Sequence, residues 1–382
     1  MSRSFDAASG LPLRPGARAA LEVALERGWA DPGRLHRDAR VARQLLDAAR
    51  ASVAERLGAL PQEVTFTASG TEALHLGVLG LARARTGIGR TVVASAVEHS
   101  AVLRAADWVA ADDPAAGGPV LVPVNAQAHL EPEAFATAIG RPGVALACVQ
   151  QANHEVGTLQ PLDAAHAAAR AAGVPLLVDA CAALGAVPAP GDWDVLAGSA
   201  HKWGGPAGVG VLVVRSGVRW RSPIPTDEAG RRAGFPNVPA IVAAATALEE
   251  ATAELPRTMA SRSALTERLR REVPQAAADV LAIGPDDDRL PHLTCFTVLY
   301  ADGEVLVTEL DRAGFAVSSG SACTADTRRP SHVLAAMGAV THGNLRVSLP
   351  PDATDADLDG FLAALPSAIH AARDAGLAAA RP

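Results

Sequence analysis

The chain contains 382 residues, of which 49% are hydrophobic and only 3% are aromatic. This length predicts about two domains, with cores built mainly from aliphatic side chains and alanine. The net charge of −7 comes with scattered basic residues, so a nucleic-acid-binding stripe is not predicted. An N-terminal signal peptide and an apolar run of about 18 residues are both missing, so we expect a soluble, cytoplasmic protein without membrane contact.

In chain order, short apolar runs alternate with helical patterns from about residue 64 to residue 214. The runs at 91–97, 144–149, 176–178 and 208–214 are rich in valine and continuous, which is typical of parallel strands covered on both faces. Residues 161–172 read as a helix that ends at Gly173. This alternation predicts an α/β sandwich.

The last third of the chain has a different pattern. A long helical stretch at 238–273 precedes two predicted strands and two predicted helices, and these elements indicate a smaller α+β domain. The strands are predicted at 294–299 and 344–348, and the helices at 303–313 and 355–375.

A lysine in the segment 199–205 is the first candidate for chemistry. Lys202 follows Ser199 and His201, and glycines lead from it into an apolar run. This pattern holds a lysine at a sheet edge, where burial or a cationic neighbour lowers its pKa and lets the amine react. Asp179 ends another apolar run, where a buried carboxylate needs a cationic or donor partner. A helix N-cap is the other interpretation of Asp179.

Ligand-binding candidates follow other predicted strands. Ser69 and Glu72 form a capping box around Gly70 and Thr71, so the free N–H groups there could bind phosphate or form an ordinary cap. His99 follows the 91–97 run, where an imidazole either lies against a planar ligand and moves a proton or is structural.

Three further side chains have a chemical and a structural interpretation. Asn153 could donate to a ligand oxygen or close its own turn. Arg346 lies in a strand pattern, where its guanidinium could clamp a carboxylate or face outward. Cys323 lies in a polar loop, which is typical of a reactive thiol. The other cysteines, which lie in apolar runs, are Cys148, Cys181 and Cys295. The four form no zinc pattern, so we predict free thiols and no metal site.

Together these motifs resemble the cysteine desulfurases of the class V aminotransferase group, which use pyridoxal 5′-phosphate (PLP). The resemblance extends nearly from end to end. Its most specific part is Ser-Ser-Gly-Ser-Ala-Cys at 318–323 with Pro-Ser-His-Val-Leu at 330–334, which is similar to the long cysteine loop of the iron–sulfur and nitrogenase types. The other matching segments lie at 5–8, 69–72, 98–102, 153–161, 178–180, 199–202, 231–234, 237–239 and 345–349.

The resemblance implies the fold type I of PLP-dependent transferases. Residues 13–255 would form the large domain around a mainly parallel seven-stranded sheet. Residues 1–12 and 256–382 would form the small domain, which carries the Cys323 loop. It also implies a homodimer that converts L-cysteine to L-alanine and delivers sulfur to an acceptor protein. An iron–sulfur scaffold, a tRNA thiolation enzyme and a sulfur carrier all fit as acceptors, and direct nucleic-acid binding is not expected.

Roles follow for the matching residues. Lys202 would hold the cofactor covalently and move protons, Asp179 would pair with the pyridine nitrogen, and His99 would stack on the ring as acid and base. Cys323 would attack the sulfur of the substrate and become a persulfide. Four residues would hold the phosphate, and two others would bind the ring oxygen and the substrate carboxylate. These residues are Gly70, Thr71, Ser199 and His201 for the phosphate, Asn153 for the ring oxygen, and Arg346 for the substrate carboxylate. Asn153 would also contact the substrate.

Three departures from the pattern weaken cofactor contacts. Ala182 replaces a glutamine that bonds the phenolic oxygen, and Phe235 replaces a threonine that reaches the phosphate of the neighbouring subunit. Leu74 and His75 replace two asparagines, and His75, His154 or a water could supply the missing hydrogen bonds. Each lost hydrogen bond costs about 1 kcal/mol. Two alternatives therefore stay open. One is a selenocysteine lyase or another class V aminotransferase-type lyase, and the other is a cofactor-poor sulfur-relay or binding partner.

Overall fold

The computed structural model describes residues 3–111, 118–226, 234–319 and 330–379. The helices in these ranges are α1 Pro15–Arg27, α2 Arg37–Arg56, α3 Gly70–Ala84, α4 Ser100–Ala111, α5 Pro132–Ile139, α6 Leu162–Ala172, α7 Val238–Ala253, α8 Leu255–Ala276, α9 Gly303–Arg312, α10 His332–Ala336 and α11 Asp355–Ala379. The strands are β1 Arg3–Ser4, β2 Val64–Thr67, β3 Thr91–Ser95, β4 Val120–Val122, β5 Val144–Gln150, β6 Leu176–Asp179, β7 Val195–Ser199, β8 Gly210–Val214, β9 Val280–Ile283, β10 Leu293–Val298, β11 Phe315–Ala316 and β12 Asn344–Ser348.

A seven-stranded sheet dominates the first part of the chain. Its strand order is β2-β8-β7-β6-β5-β3-β4. Strand β8 runs antiparallel to both of its neighbours, β2 and β7, and all other neighbouring strands are parallel. Every residue of β5, β6, β7 and β8 is buried, as expected for strands covered on both faces. The predicted mainly parallel sheet is therefore confirmed. The expectation that the 208–214 run is parallel is wrong, because an apolar run carries no information about strand direction.

One edge of this sheet collects the candidate residues. Parallel strands end at the same edge, and the register pairs Gln150 with Asp179 and Asp179 with Ala197. Asp179 is the last residue of β6, and Ser199 is the last residue of β7. His99 follows β3 by four residues, so it reaches the same edge. Ligands of open α/β sheets bind at this edge.

The long helix predicted at 238–273 is two helices. α7 ends at its C-cap Glu254, and Pro256 lies in the first turn of α8. Proline fits the first turn of a helix but cannot continue one, because it lacks an N–H group. The break lets α7 pack on α1 and α2, while α8 packs on α11 and β9.

A second apolar core forms around the sheet β12-β10-β9. Its members come mainly from residues 265–372, and they include Phe5 from the start of the chain. The rings of Phe5 and Phe361 lie 5.4 Å apart, and β1 pairs with β11. This packing supports the predicted grouping of the N-terminal segment with the C-terminal region, and the domain boundaries stay a prediction.

Within the described ranges, no helix combines the length and the apolar character that a membrane span requires.

Candidate active site

Lys202 lies in the short 3-10 turn Ala200–Lys202 that follows β7. Its Nζ donates to the carbonyl of Ala8, which brings the N-terminal segment against the turn. Next to it, Ser199 Oγ and His201 Nδ1 are 3.1 Å apart. Burial and the charge of Lys202 lower the pKa of His201, so its imidazole is neutral at neutral pH. Ser199 and His201, two of the four residues predicted to hold the phosphate, therefore meet beside Lys202.

Asp179 is a buried carboxylate that forms no ion pair with any described residue. It is 6% exposed, and its Oδ1 accepts a hydrogen bond of 2.9 Å from the backbone N–H of Cys181. Within the described part of the chain, no lysine, arginine or histidine forms an ion pair with it. Because a buried charge is costly without an opposite charge, the site is suited to a ligand with a protonated nitrogen.

The N-terminus of α3 faces the ends of β6 and β7. Ser69 caps the helix, and its Oγ accepts from Glu72 N at 3.0 Å, as the capping box predicts. A Cβ atom on Gly70 would lie 2.7 Å from Ser199 Cβ and 2.8 Å from Cys181 Sγ. Only glycine permits this approach. The N–H groups of Gly70 and of the exposed Thr71 open the helix and have no acceptor within it.

His99 lies beside His154, which the sequence suggested only as a possible substitute for a lost hydrogen bond. The backbone N–H of Ala101 donates to His99 Nδ1 at 3.1 Å, which leaves Nε2 as the N–H of the neutral ring. The rings of His99 and His154 meet edge to face, with centroids 5.1 Å apart. His154 Nδ1 is buried and has no hydrogen-bond partner among the described residues. The sequence signal for His154 was its position directly after Asn153.

Asn153 closes its own turn. Its Oδ1 accepts from the N–H groups of Glu155 and Val156, both at 2.9 Å, and its Nδ2 donates to Val97 O at 3.2 Å. The side chain is fully buried. The structure thus favours the turn interpretation that the sequence left open, and the contact of Asn153 with a ring oxygen or a substrate stays a prediction.

Arg346 enters the site from β12 and is 1% exposed. Its guanidinium donates to His154 O at 2.9 Å, to Asp6 Oδ1 at 2.8 Å and to Ser9 Oγ at 2.7 Å. Its Nε is buried without a partner in the described ranges. The outward-facing interpretation of Arg346 is therefore wrong, and its binding of a substrate carboxylate stays a prediction. Asp6 and Ser9 were missed because they are more than 330 residues away in the sequence.

Cys323 lies outside the described residues. The described residues that follow it contact the site. Ser331 Oγ donates to Glu155 Oε2 at 2.6 Å, and His332 Nε2 is 2.9 Å from Glu98 O. Ser331 and His332 are therefore held against the residues that follow β3 and β5, where His99 and His154 lie.

The three described cysteines are free thiols. Burial, with nearby acidic groups, raises the pKa of each one, to about 12 for Cys295 and well above the ordinary value for Cys148 and Cys181. These thiols stay protonated at neutral pH, and a protonated thiol is a poor nucleophile. None of the three is therefore suited to attack a substrate.

The sequence profile of the class V aminotransferases matches residues 21–361, which is most of the chain. The chain belongs to the class V aminotransferase family.

Three proteins show the similarity in more detail. The IscS-like cysteine desulfurase of Mycobacterium tuberculosis is 37% identical over 393 aligned positions that cover 98% of this chain and 98% of that protein. A solved structure of a NifS-like protein has a TM-score of 0.89 at 28% identity, covering 97% of this chain and 100% of that one. A structure of SspA in complex with cysteine has a TM-score of 0.77 at 26% identity, covering 92% and 99%. The predicted fold type I architecture of the family is thereby confirmed.

The departures from the family pattern have different structural settings. Leu74 is 1% exposed and packs in the core, so it offers nothing to a ligand. His75 Nε2 is buried without a partner in the described chain, and burial lowers the pKa of this histidine. Phe235 is 59% exposed. Ala182 borders a small cavity next to Lys202.

Proposed function

We propose that this chain is a PLP-dependent cysteine desulfurase that converts L-cysteine to L-alanine and collects the sulfur on Cys323 as a persulfide. The observation that carries the proposal is the buried Asp179, which forms no ion pair with a described residue and lies on the strand beside the one that leads into Lys202. The similarity to the Mycobacterium tuberculosis cysteine desulfurase over almost the whole chain supports the same activity.

The donors and acceptors around Lys202 match the groups of PLP. The amine of Lys202 suits an aldehyde, and Asp179 suits a protonated pyridine nitrogen. The N–H groups at the start of α3, with Thr71, Ser199 and His201, suit a phosphate. Each of these partners lies at the same sheet edge, and Gly70 permits the contact between α3 and Ser199. We therefore assign these residues to cofactor binding.

When bound, PLP withdraws electrons from the substrate carbon atoms and accepts the electron pair that remains when the C–S bond breaks. The remaining work belongs to the chain. The carboxylate of Asp179 keeps its partner nitrogen protonated, because a neutral nitrogen would leave the charge of Asp179 buried and unpaired. His99, with Nδ1 occupied by Ala101 N, exchanges protons through Nε2. Lys202 Nζ moves protons at the substrate.

Arg346 is the proposed partner of the substrate carboxylate. Its Nε has no partner among the described residues, and its charge is held in place by three hydrogen bonds from the other two nitrogens. A guanidinium binds a carboxylate strongly because both groups are charged, and Arg346 is 1% exposed. The structure of SspA in complex with cysteine supports an amino-acid substrate of this size for the shared fold.

The sulfur step needs a thiolate. The thiolate of Cys323 attacks the sulfur of L-cysteine, an S–S bond forms, and the C–S bond of the substrate breaks. The released electron pair takes up a proton at the former CH₂ carbon, which gives L-alanine and leaves a persulfide on Cys323. The raised pKa values of Cys148, Cys181 and Cys295 favour Cys323 for this role.

We further propose a cytoplasmic homodimer that hands the sulfur to an acceptor protein. Free cysteines suit a reducing compartment. Phe235 occupies the family position that contacts the neighbouring subunit, and its large exposed side chain suits burial in a partner. Light scattering of the purified chain measures the dimer, and a monomer at micromolar concentration would contradict it.

The test of the activity is incubation of the PLP-loaded protein with L-cysteine and a reductant. We expect alanine and sulfide in equal amounts, and we expect Lys202→Ala to lose the visible absorption band and both products. A parallel reaction with L-selenocysteine compares the two substrates. A PLP-loaded wild-type protein that releases no alanine would overturn the proposal.

A further inference from the structure

A buried arginine that forms no ion pair with any described residue borders the same small cavity as Lys202. Arg262, on α8, is 3% exposed, and its Nε donates to Thr258 O at 3.1 Å, within its own helix. In the described structure it forms no ion pair. Its neighbour Arg14 differs, because Arg14 pairs with Glu254 at 2.9 Å. A buried cation normally has an anionic partner.

Arg262 borders a small cavity that also touches Lys202, His292 and Ala182. The cavity volume is about 10 Å³, close to the space that one water molecule needs. His292 is 5% exposed, and its Nδ1 has no hydrogen-bond partner among the described residues. The walls thus offer several polar groups to one small occupant. Such a site suits an ordered water, which needs two to four polar partners.

The charges around this cavity favour an anionic oxygen. Burial lowers the pKa of Arg262 to about 10, so the guanidinium stays charged at neutral pH. Burial and the charges of Arg262, Arg346 and Lys202 lower the pKa of His292 well below its ordinary value, so this ring is neutral. The positive charge of Arg262 therefore borders the cavity, and no carboxylate among the described residues forms an ion pair with Arg262.

We propose that Arg262, assisted by His292 and one water in this cavity, supplies the positive partner for the ring oxygen of the cofactor held on Lys202. This inference rests on the proposed use of PLP. Ala182 leaves the space open, at the position where the family resemblance expects a glutamine that bonds the same oxygen. Arg262 would thus be a positioning residue that compensates for the missing glutamine.

The decisive variants are Arg262→Leu and the double variant Ala182→Gln/Arg262→Leu. Each is stripped of cofactor, titrated with PLP by absorbance, and melted with and without PLP. A hydrogen bond to a charged group accounts for about tenfold in affinity or more, so Arg262→Leu should raise the dissociation constant of PLP by about tenfold. The double variant should recover most of this loss. Arg262→Lys, which keeps the charge, should fall between wild type and Arg262→Leu.

The cofactor-free proteins give a readout that a purely structural role would not produce. Leucine removes an uncompensated buried cation, so cofactor-free Arg262→Leu should melt at or above the wild-type temperature. Arg270→Leu is the matched control on the same helix, because Arg270 pairs with Asp286 at 2.7 Å. This control should lower the melting temperature and leave PLP affinity unchanged.

Three outcomes would overturn the inference. PLP affinity equal to wild type in Arg262→Leu refutes it and leaves the proposed function intact. The inference is also refuted, and the proposed function left intact, if cofactor-free Arg262→Leu is destabilised like the Arg270→Leu control and Ala182→Gln does not restore PLP affinity in the double variant. A wild-type protein that binds no PLP removes both proposals.

Discussion

Replacing Asp6 by asparagine should weaken the fold and strengthen substrate binding at the same time. Asp6 Oδ1 accepts from Arg346 at 2.8 Å, and the Arg346 side chain is 1% exposed while that of Asp6 is 25% exposed. Asp6→Asn keeps the shape and an acceptor oxygen but removes the negative charge. The free energy of unfolding should fall by about 1–3 kcal/mol, because the buried guanidinium loses its counter-charge.

The gain in substrate binding follows from the repulsion between two carboxylates at one guanidinium. Carboxylates about 5 Å apart repel by about 3 kcal/mol at an effective dielectric constant near 20. Asp6 is partly exposed to solvent, which screens this repulsion. We therefore expect less than half of it, about 1.4 kcal/mol, which corresponds to a KM for L-cysteine about tenfold lower.

Urea unfolding and steady-state kinetics measure the two effects, with Ser9→Ala as the matched control. Ser9 Oγ accepts from the same nitrogen of Arg346 at 2.7 Å but carries no charge, so its removal should cost stability without lowering KM. If Asp6→Asn raises KM together with the loss of stability, Asp6 orients Arg346 for the substrate, and the competition between the two carboxylates is refuted.

Two other substitutions test the site and its electrostatics. Gly70→Ala should lower both the melting temperature and PLP affinity, because its Cβ would lie 2.7 Å from Ser199 Cβ. Gly87→Ala is the control and should change neither, because a Cβ there would have no atom within 4 Å. Equal effects of the two substitutions would contradict the close contact between α3 and Ser199. Burial and the charge of Asp179 raise the pKa of Glu98 well above 4.5 in the folded protein. The folded protein therefore keeps a proton that the unfolded chain releases, and the free energy of unfolding falls as the pH rises above 4.5, the ordinary pKa of the unfolded chain. Glu98→Gln should remove this loss, and thermal melts of the cofactor-free protein from about pH 5 to pH 8 should show a flatter curve than wild type; parallel curves would contradict the protonated state of Glu98.

The sheet and the strand-end residues could be predicted because their signals are local. Short apolar runs marked β5 and β6, and the polar residues Asn153 and Asp179 at or just after their ends marked the ligand edge. The direction of β8 could not be predicted, because strand pairing depends on distant partners. The break at Glu254 carried a local signal, the proline at position 256, which the long helical pattern obscured.

The interior of the site was less predictable than its edge. Arg262 lies on a helix rich in arginine, where the sequence pattern suggests a solvated face, and only the fold buries it next to the cavity that Lys202 also borders. Asp6 and Arg346 meet across 340 residues, which no local pattern reveals. His154 was suggested only as one of several substitutes for a lost hydrogen bond. Adjacent residues in a turn point in different directions, so only the fold separates the turn-closing Asn153 from the residue beside His99.

The location of the sulfur after one turnover tests the proposed chemistry most directly. The PLP-loaded protein is mixed with an equal amount of L-cysteine without reductant, alanine is measured, and the chain is digested for mass spectrometry. We predict one alanine per transferred sulfur and one extra sulfur atom on the peptide that contains Cys323. Cys323→Ala should keep the visible absorption band and form neither product. Alanine formation by Cys323→Ala at the wild-type rate, or extra sulfur on Cys181 instead, would contradict the assignment.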